Sequence, residues 1–120
     1  DRLVLVPRLR AWGRPRPYAV DQPRGDAAFE VACMCQTLDG LRSEPRLRPP
    51  THLKIDVDGH ELRVLHGARE LLASGSLQHL LIEVQRGHVG EVFGLLAEAG
   101  FRHSKGRDVG GVGNYVFERW

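Results

Sequence analysis

The sequence has few lysines, few sulfur-containing residues and no long hydrophobic run. Two of its 17 basic residues are lysines, Lys54 and Lys105, and the rest are arginines. It contains two cysteines and one methionine in 120 residues. No stretch approaches the roughly 20 apolar residues that a membrane-spanning helix needs. We therefore expect a protein without a membrane segment.

The charge balance gives little reason to expect a nucleic-acid partner. The net charge is +2, and arginine-rich, lysine-poor usage is typical of a GC-rich genome. Five arginines do make the first quarter basic, but they alternate with proline and glycine and carry little aromatic interleaving. They are Arg8, Arg10, Arg14, Arg16 and Arg24. We expect an irregular, solvated leader there.

The cysteines and the N-terminus favour a reducing compartment. Cys33 and Cys35 would point to the same face of a strand, too few for a metal cage and poorly placed for a disulfide. Residues 1–7 lack the apolar core of a secretory signal, and a chain that starts on Asp1 suggests a fragment or a processed form. We expect a soluble, cytoplasmic protein.

The hydrophobic fraction of 42% is enough for one core, so we predict a single domain over residues 1–120. Residues 1–50 form an irregular leader with short strands, and residues 51–120 form a regular α/β half-sheet. The predicted strands are 3–6, 18–20, 28–35, 53–57, 79–84, 101–103 and 114–118. A helical turn is predicted at 37–41 and a connection at 44–50. Helices are predicted at 62–72 and 89–99. This order predicts a mainly parallel α/β sheet with a C-terminal hairpin, whose loop is the glycine-rich run 110–113.

The strand-to-helix junction that follows residue 53 carries the most chemistry. Residues 54–61 read Lys-Ile-Asp-Val-Asp-Gly-His-Glu. Open α/β sheets bind ligands outside the carboxyl ends of their strands, where this run would lie. Asp56 should end its strand there, able to accept a proton from a substrate hydroxyl, to orient a cation or to bind a metal. A surface carboxylate near a helix N-terminus is an equally good reading.

The other polar residues of the junction have structural alternatives. Asp58 and Glu61 have the spacing of a capping box, which by itself would explain both. Gly59 permits a tight turn or a close ligand approach. His60 could be a base or a ligand, but together with His52 it matches no standard zinc spacing.

A second carboxylate is expected at the same edge. Glu83 should end the next strand and reach the crevice beside Asp56, and His88 follows in the next loop. Unequal surroundings could separate the pKa values of two such carboxylates and assign acid and base roles. The alternative is a polar loop that merely flanks a helix.

Three separated segments resemble the FkbM-type methyltransferases. They are the run 54–61, then Val-Leu-His-Gly-Ala at 64–68, then Leu-Leu-Ile-Glu-Val at 80–84, with Thr-Leu-Asp at 37–39 upstream. Asp58 stands where the family usually has glutamate. The resemblance covers residues 51–104 well and residues 1–36 loosely.

The resemblance implies a partial Rossmann-like, S-adenosylmethionine-dependent methyltransferase that acts on a hydroxyl of a sugar or natural product. Residues 53–57, 79–84 and the C-terminal pair would be the fourth, fifth, sixth and seventh strands of its sheet. The first two strands, which carry most cofactor contacts, have no counterpart in the sequence. We therefore expect weak cofactor binding and no activity from this chain alone. We predict catalytic roles for Asp56, Glu61 and Glu83, and substrate contacts for Asp58, Gly59, His60 and His88.

Two other interpretations remain open. The fourth strand would present an open edge, through which the chain could form a homo-oligomer or act as a non-catalytic interaction module. Asp-x-Asp-Gly after a strand also resembles the first motif of haloacid-dehalogenase-type phosphatases, with Asp56 as nucleophile, Asp58 as acid/base and Mg²⁺. In that family threonine or valine usually follows the glycine, where His60 stands.

Overall fold

The described residues form a four-stranded mixed sheet with helices on one face. The computed structural model describes residues 36–57 and 59–120, so the strands expected at 3–6, 18–20 and 28–35 and the side chain of Asp58 lie outside the described residues. The strands are β1 (His52–Ile55), β2 (His79–Gln85), β3 (Phe101–Val109) and β4 (Val112–Arg119). The helices are α1 (Leu38–Arg42), α2 (Glu61–His66), α3 (Arg69–Ala73) and α4 (Val89–Glu98), and Arg86–His88 form a 3₁₀ turn.

The sheet order is β1-β2-β4-β3. β1 runs parallel to β2, while β4 is antiparallel to both β2 and β3. The sheet of the described residues is therefore mixed, and it differs from a parallel one by β4 alone, since β1, β2 and β3 run in the same direction. The predicted hairpin is confirmed and explains the difference, because β4 returns through a tight turn and inserts between β2 and β3.

The hairpin strands are longer than the sequence pattern suggested. β3 reads Phe-Arg-His-Ser-Lys-Gly-Arg-Asp-Val and lies at the sheet edge, where most of its side chains are exposed. An edge strand of this kind has no alternation of apolar and polar residues, so its length is hidden in the sequence. Gly110 and Gly111 form the turn with φ angles of 70° and 95°, a left-handed conformation that glycine adopts readily.

The helix predicted over residues 62–72 is two helices. α2 ends at His66, with Gly67 as its C-cap, and α3 begins at Arg69. Thr37 packs so closely there that a Cβ on Gly67 would stand 3.1 Å from its side chain. The Asp39 carboxylate accepts the backbone N–H groups of Glu70 and Leu71 at 3.0 and 2.9 Å. The segment before β1 therefore caps α3 from outside, which an uninterrupted helix would not allow.

The core lies between the helices and one face of the sheet. Leu80, Ile82 and Val84 alternate along β2 and are fully buried. Phe93 of α4 packs edge-on against Tyr115 and Phe117 of β4, at ring-centroid distances of 5.2 and 4.9 Å. The helices therefore cover this face. No helix in the described part of the chain is long and apolar enough to cross a membrane.

Candidate functional site

Asp56 lies where the sequence analysis expected it, directly after the carboxyl end of β1. Its side chain is 41% exposed, and Oδ2 lies 3.2 Å from the Lys54 ammonium. An exposed ion pair of this kind contributes little free energy, so it leaves the carboxylate available to a ligand.

Glu83 is the neighbour of Asp56 across the strands. Ile55 of β1 pairs with Ile82 of β2, so the residues that follow them, Asp56 and Glu83, lie side by side. Glu83 does not end its strand, however, because β2 continues to Gln85. Its partner on the other side is Asn114 of β4. The strand was predicted from its apolar run, and the polar residue Gln85 extends it beyond that run.

The turn at Gly59 is held from two sides. Gly59 has a φ of 100°, and its N–H donates to Glu61 Oε1 at 2.9 Å. A Cβ on this residue would stand 3.0 Å from the Gln85 amide nitrogen, so the Gln85 side chain packs directly on the turn. Only glycine combines this backbone angle with this space. Gln85 is a contact that its sequence position did not reveal.

Glu61 is a buried carboxylate with one unused oxygen. The residue is 1% exposed, and Oε2 has no hydrogen-bond partner among the described residues. Helix α2 starts at Glu61 itself, and the residue at its N-cap is His60, whose side chain makes no capping hydrogen bond. The capping-box alternative for Asp58 and Glu61 stays untested, because Asp58 lies outside the described residues. The structure shows that Glu61 closes the Gly59 turn.

Two predicted substrate contacts are histidines at the starts of helices. His60 is half-buried at the start of α2, and His88 is half-buried at the start of α4. The Nδ1 atom of His88 is buried and has no hydrogen-bond partner in the part of the chain that the structure describes. Both residues follow the carboxyl ends of adjacent parallel strands, so their positions suit the roles predicted for them. These roles remain predictions.

The glycine-rich turn of the hairpin lies at the same edge of the sheet. Arg86 donates to Asp108 through Nε and Nη2, at 3.0 and 3.2 Å, and Gly111 N–H donates to the same carboxylate at 2.9 Å. The backbone N–H of Arg86 donates to Gly111 O at 2.9 Å. These contacts join the end of β2 to the hairpin turn. We call them the Arg86 clamp.

The clamp also changes the titration of its two charged groups. The hydrogen bond from Arg86 and that from the Gly111 N–H lower the pKa of the Asp108 carboxyl. The same carboxylate raises the pKa of the Arg86 guanidinium. Sequence reasoning missed this pair, because 22 positions separate the two residues.

The described residues do not assemble a metal centre. His52 stacks on His79 with a ring-centroid distance of 4.6 Å, at the amino ends of β1 and β2 and away from Asp56. Within residues 36–57 and 59–120, no three His, Cys, Asp or Glu side chains are grouped to hold an ion. The phosphatase alternative stays untested, because Asp58 is outside these ranges.

A groove of about 180 Å³ is lined by residues of β1, the edge strand of the described sheet. Its walls are mostly apolar and come from α1, β1 and α2. Its apolar lining residues include Leu38, Leu41, Ile55, Val57 and Val64. This groove lies beside the open edge that the sequence analysis expected for this strand.

Comparison with known families identifies the chain. The methyltransferase FkbM domain matches residues 10–103, well over half of the sequence, and extends the resemblance upstream of the segments that first suggested it. A search of curated proteins and a search of solved structures found no match. The mixed α/β sheet is compatible with part of a methyltransferase-like fold. The chain belongs to the FkbM methyltransferase family.

Proposed function

We propose that the described residues form the acceptor side of an S-adenosylmethionine-dependent methyltransferase that methylates a hydroxyl oxygen of a sugar or natural product. The observation that carries the proposal is the exposed Asp56 carboxylate after β1, next to Glu83. The strand order β1-β2-β4-β3 supports it, because in our proposal these strands would be the fourth, fifth, seventh and sixth strands of a Rossmann-like sheet.

Asp56 has the chemistry that hydroxyl methylation needs. A hydroxyl oxygen becomes a good nucleophile only as its proton leaves, and a positioned carboxylate that accepts the proton accelerates such a step by roughly 10²–10⁴-fold. Asp56 is open to an acceptor, whereas Glu61 is buried and engaged with Gly59. We therefore assign the proton transfer to Asp56, with Glu83 orienting the acceptor from the next strand.

Members of the family generally use S-adenosylmethionine, but the described residues do not form its main cradle. A cofactor of this kind is held by a glycine-rich turn between a strand and a helix. Gly59 is the positive-φ glycine at such a junction here, and its N–H is already bound by Glu61. We therefore infer that the described residues hold the acceptor, and that the cofactor contacts come mainly from elsewhere.

The experiment is a chimera. The cofactor-binding half of a full-length FkbM methyltransferase is joined ahead of residue 36, and methyl transfer from labelled S-adenosylmethionine to a panel of hydroxylated sugars and natural products is measured. We expect transfer, and we expect Asp56→Asn to slow it roughly 10²–10⁴-fold without loss of acceptor binding. Glu44→Gln, a similar charge change in the exposed connection before β1, should leave the rate unchanged.

The groove along β1 supports a second candidate, a non-catalytic interaction module that uses this edge. A chimera that folds and binds both S-adenosylmethionine and an acceptor, yet transfers no methyl group, would contradict the enzymatic proposal. A stable dimer of the 120-residue chain in size-exclusion chromatography would then favour the module.

A further inference from the structure

The strand register builds one polar row across the carboxyl end of the sheet. Glu83 pairs with Asn114, and Asn114 pairs with Arg107. Asp56 completes the row, because it follows the residue paired with Ile82. One of these four residues thus lies in, or directly after, each of the four strands, and we call these four residues the polar row.

The polar row lies on the face opposite the helices. Ile82 and its register partner Tyr115 are buried on the helix side, and side chains alternate along a strand, so Glu83 and Asn114 point the other way. Register partners share a face, which places Arg107 with Asn114. The ion pair between Lys54 and Asp56 puts the carboxylate on this side as well.

Charge is distributed unevenly along the row. Carboxylates stand at the β1 end, and a guanidinium stands at the β3 end. Arg107 is exposed and has no hydrogen bond or ion pair with any described residue. Arg102, on the same strand and face, instead lies 4.0 Å from Glu118 and 5.1 Å from the centre of the Trp120 ring. Arg107 therefore makes neither an ion pair nor a ring contact of the kind that Arg102 makes with described residues.

The dimensions of the row fit an extended ligand. Adjacent strands lie about 4.8 Å apart, so Asp56 and Arg107 are separated by about 14 Å across the sheet. The side chains of Asp56 and Arg107 occupy part of this distance, which leaves a gap close to the length of a disaccharide. A hydroxyl at Asp56 would leave the far end of such an acceptor beside Arg107 and Asn114. A guanidinium binds a carboxylate in a planar, two-bond geometry, and an amide N–H can add a third bond.

We propose that the acceptor is an acidic saccharide or glycoside whose carboxylate is bound by Arg107 and Asn114 while its reacting hydroxyl lies at Asp56. This inference rests on the proposed function, because it takes Asp56 as the reacting end. It names the charge and the approximate length of the acceptor, and it gives Arg107 and Asn114 a role in specificity.

The test measures binding to the 120-residue chain by calorimetry and by saturation-transfer NMR. The probes are digalacturonate, its neutral counterpart galactobiose, and a sulfated galactobiose. We expect digalacturonate to bind best, and Arg107→Gln to weaken it tenfold or more, since a hydrogen bond to a charged group contributes about 1.5–3 kcal/mol. Arg102→Gln is the matched control and should leave the affinity unchanged. Thermal unfolding must show that both variants are folded.

Several results would overturn the inference. Equal binding of galactobiose and digalacturonate would remove the need for a carboxylate, and absence of saturable binding would remove the site. Equal losses in both arginine variants would indicate general charge attraction. Preference for the sulfated probe would reassign the row to another oxyanion. None of these outcomes touches the methyl-transfer assay, so a chimera active on neutral acceptors would keep the proposed function while this inference fails.

Discussion

Asp56 and Glu61 are carboxylates of the same junction, yet their surroundings give them different chemistry. Asp56 is 41% exposed and holds a loose ion pair, whereas Glu61 is 1% exposed and accepts the Gly59 N–H. The sequence could predict that both lie at the junction. It could not separate their roles, because burial depends on contacts with distant segments. The catalytic role predicted for Glu61 therefore stays a prediction. What the structure shows is its hydrogen bond to Gly59, which holds the turn.

Glu61→Gln should stabilise the fold by about 1 kcal/mol. The amide oxygen can still accept the Gly59 N–H, while an unpartnered neutral amide is less costly to bury than an unpartnered carboxylate oxygen. Glu61→Ala should lose about 2 kcal/mol, because it removes the hydrogen bond and leaves a cavity. Urea unfolding measures both, with the exposed Glu98→Gln as control. A Gln variant as unstable as the Ala variant would show that the charge itself is needed.

Asp108 should make part of the stability depend on pH. The pKa of its carboxyl is lowered in the fold by Arg86 and Gly111, so the clamp stabilises the protein above the ordinary aspartate pKa of about 3.9. This contribution is lost as the pH falls through the lowered folded value. Asp108→Asn should therefore lower Tm at about pH 7, and the difference from wild type should shrink towards about pH 2. A difference that persists in acid would contradict the electrostatic account.

At the scale of elements, the sequence predicts best where burial imposes a period. The apolar run of β2 and the helical segment of α4, which ends before Gly100, were visible in the sequence, and both elements are confirmed. The break between α2 and α3 was not visible, because leucines continue the helical spacing across it. Its cause is the docking of residues 37–39, a contact between segments about 30 residues apart.

Asp39→Ala should lower the free energy of unfolding by about 1–2 kcal/mol. The carboxylate caps α3 by accepting the N–H groups of Glu70 and Leu71, and loss of a helix cap typically costs this much. Asp39→Asn should cost about half as much, since one amide oxygen replaces two acceptors. Glu70→Gln, which removes an exposed partner of Arg42 at 3.5 Å, is the control and should stay near zero. If Asp39→Ala behaves like this control, the cap does not stabilise α3.

At the scale of the whole molecule, Arg119 joins the end of the chain to the helical layer. Its guanidinium donates to the carbonyl oxygens of Leu77, Ala99 and Leu72 at 2.8, 3.3 and 2.6 Å, and it lies 4.4 Å from the centre of the Phe101 ring. Two of these carbonyls end helices and have no partner within them. An arginine at the penultimate position gives no sign of such a role in the sequence.

Arg119→Lys should lower the free energy of unfolding by about 2 kcal/mol, although the charge is kept. A lysine ammonium cannot reproduce the planar fork that reaches three carbonyls, so buried acceptors lose their donors. Arg119→Ala should cost more, about 3–4 kcal/mol, and Arg102→Gln at the exposed edge should cost less than about 0.5 kcal/mol. Equal effects of Arg119→Lys and Arg102→Gln in urea unfolding would contradict the claim.

We infer that the described residues present the acceptor side of the methyltransferase, and that within residues 36–57 and 59–120 they do not form the glycine-rich cradle of its cofactor. A calorimetric titration of the 120-residue chain with S-adenosylmethionine tests it most directly. The account predicts no saturable heat in the micromolar range. Saturable micromolar binding by this chain would contradict it.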